Sequence, residues 1–187
     1  CYFGYLAGYR LVHEVAQDRL FAGFLRSYMD TEATPTLSPV PGIDLDAYKH
    51  KLIARFSNEH VRDTLARLCA ESSDRIPKWL VPVIQENLKN DGEIHRSAAI
   101  VASWARYAEG TDEAGTAFVV VDRLKEPLMA AAARNRKDRL AFISQREVFG
   151  DLVDETRFVE AYAAALGSLH SRGAKATVAA LVEGGAW

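Results

Sequence analysis

Asp63 and Arg67 stand four residues apart, the spacing of an ion pair on one helix face. Arg75 follows in a polar break, Glu71-Ser72-Ser73-Asp74-Arg75, just before Pro77. A guanidinium is a planar, donor-only fork suited to hydroxyl, carbonyl or carboxylate oxygens. Taken without further context, both arginines read as solvated surface residues, because isolated charges are mostly exposed. The five histidines, His13, His50, His60, His95 and His170, are scattered and form no His-x-x-x-His pair. His13 falls on an apolar helix face, where a hydrogen-bonded core histidine is the plain reading. Cys1 and Cys69 match no zinc spacing. There is no Gly-x-Ser-x-Gly elbow, no Gly-x-Gly-x-x-Gly after a strand, and no Gly-x-x-x-x-Gly-Lys-Ser/Thr loop. The residue pattern by itself names no nucleophile, no metal site and no nucleotide-phosphate loop.

The scaffold that must hold these side chains is an ordinary globular one. The 187 residues are 49% apolar and 26% charged, enough for one domain with a sizeable core that needs neither disulfides nor metal. A net charge of −2 excludes the basic footprint of a dedicated nucleic-acid binder. No window approaches the ~20 unbroken apolar residues of a membrane span, and no signal peptide is read at the start. Two cysteines are too few for a disulfide framework, which favours a reducing, cytoplasmic setting.

The periodicity predicts an all-α domain with at most one small hairpin. Cys1 to Tyr9 is apolar on every side and lacks a capping residue. It reads as the buried start of a helix running to about Ala16, cut from a longer chain whose upstream part would cover it. Asp18 is the expected cap of a helix from Arg19 to about Asp30. Thr34 to Gly42, with Pro35, Pro39 and Pro41, reads as a stiff extended loop. Asp44 caps the next helix, with a stripe of Leu45, Tyr48, Leu52, Ile53 and Phe56. Asn58 reads as the cap of a fourth helix that turns Val61, Leu65 and Leu68 inward. Pro77 suits the first turn of a helix that Asn90-Asp91-Gly92 stops. The strongly apolar helix from about Arg96 to Ala108 is the candidate central element. Phe118-Val119-Val120-Val121 is the one strand-like run. Pro127 opens a helix, Leu140 to Phe149 forms another ending at Gly150, and Glu155 to His170 a third that Gly173 stops. A last short helix carries Val178, Leu181 and Val182.

Several runs resemble the C-terminal domain of the long-chain polyol dehydrogenases, the mannitol 2-dehydrogenase and fructuronate reductase (mannonate oxidoreductase) family. They are Tyr5-Leu6-Ala7-Gly8-Tyr9-Arg10-x-Val12-His13-Glu14, Ala33-x-Pro35-x-Leu37, Pro39-Val40-Pro41-Gly42-Ile43-Asp44-Leu45 with Tyr48, Arg55-Phe56-Ser57-Asn58, and Asp63 with Arg67. Trp104-x-x-Tyr107-x-x-Gly110-x-Asp112-x-x-Gly115 and Gly173-Ala174-Lys175-Ala176-Thr177 complete the set. Each run is modest, but their order spans nearly the whole chain.

The resemblance implies that residues 1–187 form a single helical substrate-binding domain. It also implies an N-terminal Rossmann domain, absent from this chain, that binds NAD or NADP. The family's Lys-x-x-x-x-Asn-x-x-His motif, with Lys as general base, would end a few residues before Cys1, so this chain carries no catalytic residue and needs no metal. Arg67 matches the family's basic substrate contact on the fourth helix. Arg75 stands where an Asp-Gly-Ser-x-Lys-type loop usually has Lys, the Gly also being replaced. Tyr9, Arg10 and His13 are read as structural. The implied activity interconverts a mannitol-like sugar alcohol and a fructose-like ketose. The alternatives are reduction of a hexuronate such as fructuronate, whose carboxylate would suit paired arginines, and a stand-alone helical interaction module.

Overall fold

The computed structural model describes residues 1–39 and 41–184. Helices α1 (Tyr2–Leu6), α2 (Val12–Gln17) and α3 (Arg19–Tyr28) open the chain. They are followed by α4 (Leu45–Phe56), α5 (Leu65–Cys69), α6 (Ser72–Trp79), α7 (Val81–Lys89) and α8 (His95–Tyr107). Helices α9 (Lys125–Ala132), α10 (Arg146–Phe149) and α11 (Thr156–Glu183) complete the fold. The all-α expectation holds: among the described residues there is no sheet, and the expected hairpin shrinks to two isolated antiparallel bridges, Leu11 with Thr64 and Thr111 with Ala117.

Helix α8 is central because its sequence is apolar almost all round, so every face must be covered. Trp104 is fully buried and meets Phe142 edge to face at 5.1 Å, a contact that adds to its area burial. Ile94, which precedes α8, offers no side-chain cap. The cap comes from Glu32 instead, fully buried on a π-helical turn, Met29–Ala33, that extends α3. Its carboxylate accepts from the Arg96 and Ser97 amides, each at 2.7 Å, and from Ser97 Oγ at 2.5 Å. Two helices are thereby pinned by one charge placed at the positive end of the α8 dipole.

Helix α11 is two helices joined at Gly173, whose φ of +83° only glycine adopts without strain. The first half runs along α8 to His170, which bonds Glu109. The second half returns until Leu181 O accepts from Arg96. The stop expected at Gly173 is therefore real, and the Glu113 carboxylate accepts from the Ala174 amide just past it.

Other expectations need correction. The opening helix ends at Leu6, because Gly8 takes φ +94° and the chain then runs extended through Arg10 and Leu11. Tyr2 to Leu6 are buried beneath α5, α8 and α11 of this domain, which itself provides the cover expected from upstream. Residues 58–64 form a turn, Val61 is 62% exposed, and Thr64 rather than Asn58 caps a much shorter α5. Pro77 lies inside α6 and Pro82 opens α7. Phe118 to Val121 forms no strand, and only Arg146 to Phe149 of the 140–149 segment is helical. The caps at Asp18 and Asp44 are as expected. In the proline-rich loop Thr34–Thr36 forms a 3-10 turn, and Val40 lies outside the described residues.

Candidate functional site

Arg67 and Arg75 sit on consecutive short helices whose mutual placement is set by three devices. Leu65 N donates to Arg10 O and Val12 N to Asp63 O, both at 2.9 Å, so the extended Arg10–Val12 segment holds the start of α5. Thr64 Oγ1 accepts from the Arg67 amide at 3.3 Å and caps α5. Glu71, at φ +53°, turns the chain between α5 and α6, and Tyr2 OH bonds Ser72 Oγ, tying α1 to the start of α6. Ser72 Oγ also donates to Cys69 O at 2.8 Å. The arginines are thus carried on elements anchored to the first turn of the chain.

The two guanidinium groups are held differently. Arg67 is 68% exposed, and its Nε donates to Asp63 Oδ1 at 2.6 Å while Nη2 bonds Asp63 Oδ2. The expected Asp63–Arg67 pair therefore forms in bidentate geometry. Those hydrogen bonds hold the Asp63 carboxyl below, and the Arg67 guanidinium above, their ordinary values. Asp63 itself is 21% exposed. Arg75 lies within α6, not in a loop, and is half-buried. Among the described residues its side chain makes one hydrogen bond, Nε to Glu71 O, long at 3.4 Å. Among the described residues no carboxylate lies within ion-pair distance of it; the neighbouring Asp74 is taken by Arg123 at 2.7 Å. Burial pushes the Cys69 thiol up to about 11, and the Arg75 charge opposes that rise.

Tyr9 and Arg10, read as structural, lie between α1 and α2 rather than on a buried helix. Tyr9 OH donates to Asp18 Oδ2 at 2.7 Å and accepts from Lys175 Nζ at 2.9 Å. Arg10 pairs with Asp112 at 2.7 Å above the Tyr5 ring. His13 Nδ1, by contrast, is buried with no hydrogen-bond partner among the described residues, so the hydrogen-bonded reading of that histidine is not met at this atom. Sequence reasoning missed the Thr64 cap, although a Thr before Leu-Ala-Arg is a legible capping signal. It also missed Glu32 and the His170–Glu109–Asn135 cluster, which join residues distant in sequence.

A separate cleft of about 280 Å³ opens between α1, α3, α4 and α5, walled by Phe21, Phe24, Tyr28, Ile53 and Phe56 among others. Its walls carry no charged side chain, and neither arginine reaches it. Among the described residues no three His, Cys, Asp or Glu side chains gather to hold a metal. Among the described residues no helix is long and apolar enough to cross a membrane. A dinucleotide needs a strand, a glycine-rich turn and a helix N-terminus. The described residues include no strand.

Residues 1–170 match the family described as mannitol dehydrogenase C-terminal domain. The chain is 37% identical over 179 residues to a mannitol 2-dehydrogenase of Phaeosphaeria nodorum, covering 95% of this chain and 31% of that protein. It is 35% identical over 184 residues to mannitol dehydrogenase 2 of Saccharomyces cerevisiae, covering 97% and 37%. Among solved structures it superposes on the Pseudomonas fluorescens mannitol 2-dehydrogenase ternary complex with NAD and D-mannitol. There the TM-score is 0.94 at 37% identity, over 97% of this chain and 37% of that one. It shares the fold of a substrate-free D-sorbitol dehydrogenase, with a TM-score of 0.84 at 21% identity. The chain belongs to the mannitol dehydrogenase C-terminal domain family, and it spans about a third of the length of these relatives.

Proposed function

We propose that this domain is the substrate-facing wall of an NAD(P)-dependent dehydrogenase that interconverts a mannitol-like polyol and a fructose-like ketose. The observation that carries the reading is the likeness, at 37% identity and TM-score 0.94, to a protein whose complex holds NAD and D-mannitol. The nicotinamide, bound by an N-terminal Rossmann domain preceding Cys1, would take up the hydride from the alcohol carbon. The Lys-x-x-x-x-Asn-x-x-His residues would lie there too, so this chain contributes orientation rather than proton transfer. Arg67 and Arg75 are the residues that grip substrate oxygens, and fixing those oxygens raises rate by removing orientational freedom. The unpaired thiols of Cys1 and Cys69 fit a reducing, cytoplasmic setting.

The test is Arg67→Ala in the full-length protein. If the guanidinium grips a substrate oxygen, loss of one charged hydrogen bond costs ~1.5–3 kcal/mol. That is roughly a tenfold to hundredfold fall in kcat/KM for D-mannitol. If Arg67 only pairs with Asp63 on a wet surface, the cost is about 0.3–0.5 kcal/mol of stability with no change in rate. One observation favours a carboxylate substrate as a second reading: Arg75 carries a charge with no acidic partner within 4.0 Å among the described residues. D-Mannonate is the substrate that tests it.

A further inference from the structure

Arg67 meets any substrate with part of its fork already committed. Nε and one Nη2 hydrogen are held by the two oxygens of Asp63, leaving the outer edge formed by Nη1 and the second Nη2 hydrogen. That edge donates two parallel hydrogen bonds, the pattern that fits two neighbouring oxygens. A carboxylate and a vicinal diol both present such a pair, and only the charge of the receptor separates them.

Asp63 supplies that charge difference. It sits against the guanidinium in bidentate contact, so the pair presents no net charge to a substrate. Its position is not free to relax: Asp63 O accepts from Val12 N at 2.9 Å, and the Leu11–Thr64 bridge fixes the next residue. The side chain is only 21% exposed, so solvent screens it less than its partner. We propose that Asp63 is a specificity-determining residue: by neutralising Arg67 it tunes the outer fork edge to the hydroxyls of a neutral polyol and against a carboxylate. An anionic substrate would gain attraction from the guanidinium and lose part of it to the carboxylate behind it. A hydroxyl pair would gain its hydrogen bonds either way. This inference rests on Arg67 being a substrate contact.

The experiment measures kcat/KM for D-mannitol and for D-mannonate in full-length wild-type protein, Asp63→Asn, Arg67→Ala and the double variant. Asp63→Asn removes the charge and keeps one acceptor for Nε. The D-mannonate to D-mannitol ratio should rise at least tenfold in Asp63→Asn, chiefly through a lower KM for D-mannonate. The rise should vanish when Arg67 is also Ala. Asp63→Ser serves if Asp63→Asn folds poorly. An unchanged ratio in a folded Asp63 variant, while Arg67→Ala lowers D-mannitol turnover, overturns the specificity role alone. A ratio shift that survives in the double variant overturns it too, because Asp63 would then act on something other than Arg67. Wild-type kcat/KM for both substrates in Arg67→Ala overturns instead the assignment of Arg67 on which the inference stands.

Discussion

Replacing Glu32 by Ala should be among the most destabilising single changes on the polar side of this fold. The side chain is fully buried and accepts three hydrogen bonds: two from the first amides of α8 and one from Ser97 Oγ. Arg96 Nη1 adds a charge at 3.8 Å from the same carboxylate. Removal orphans two helix-starting donors where no other cap exists. A lost cap costs about 0.5–2 kcal/mol, the charge–dipole interaction up to ~2 kcal/mol, and each orphaned buried donor ~1–3 kcal/mol. These overlap, and a net loss of about 3–5 kcal/mol is expected, the range for breaking a buried charged partnership. For a domain of this size about 1 kcal/mol moves Tm by roughly 2–4 °C. Differential scanning calorimetry of this chain should therefore show Glu32→Ala melting about 6–20 °C lower. Ser97→Ala removes one hydroxyl bond and should cost only ~1 kcal/mol. A Glu32→Ala protein melting within about 2 °C of wild type would refute the claim that one remote carboxylate caps α8.

Gly173→Ala should cost about 1–2 kcal/mol by thermal or urea melting, because an L side chain strains at its φ of +83° and the added Cβ would stand 3.1 Å from the Glu113 carboxylate oxygens. Stability should also fall on acidification through Glu109. Burial pushes its carboxyl up, but hydrogen bonds from His170 and Asn135, with the charges of His170 and Arg106, prevail and hold it below the ordinary 4.5. A depressed carboxyl stabilises the fold above its unfolded value and loses that contribution as pH drops below about 4.5 through the folded value. Urea midpoints between pH 6 and pH 3 should accordingly fall less steeply in Glu109→Gln than in wild type.

The fold was legible where local chemistry decided it. Asp18 and Asp44 cap their helices because their carboxylates reach amides two or three residues on, which spacing alone reveals. The all-round apolar run of α8 left no position for it but the centre. The errors came where long-range contacts overruled periodicity. The helix expected to run through Gly8 breaks because Arg10–Val12 is pulled into backbone pairing with Asp63–Leu65, fifty residues away by contact rather than by pattern. Asn58 looked like a cap and serves only its own turn, accepting from His60 N at 3.0 Å. Pro77 lies near the end of α6 rather than in the first turn of a helix, and its missing N–H costs that short helix one backbone bond. For the site, the Asp63–Arg67 spacing predicted their pairing, yet nothing local distinguished that pair from a solvated one. Its meaning came from family-like motifs elsewhere in the chain.

The two arginines differ in what fixes them, and that difference predicts how each fails. Arg67 is ordered before substrate arrives, by a bidentate carboxylate and by a helix whose first amide is tied to Arg10. An arginine side chain carries about 2 kcal/mol of rotamer entropy, and Arg67 has surrendered much of it in the free protein. Among the described residues Arg75 makes one long hydrogen bond, 3.4 Å to Glu71 O, so in the proposed role it would be ordered on binding. Under the proposed role its grip on a substrate oxygen would be weaker than its charge suggests, and the compact, flexible ammonium of Lys would lose little by comparison. Arg75→Lys, in full-length protein, should keep kcat/KM for D-mannitol within about threefold, whereas Arg75→Ala should lose about tenfold, near one charged hydrogen bond less its ordering cost. Equal losses in Arg75→Lys and Arg75→Ala would mean that the planar fork at position 75 is required, and that substrate meets it as rigidly as it meets Arg67.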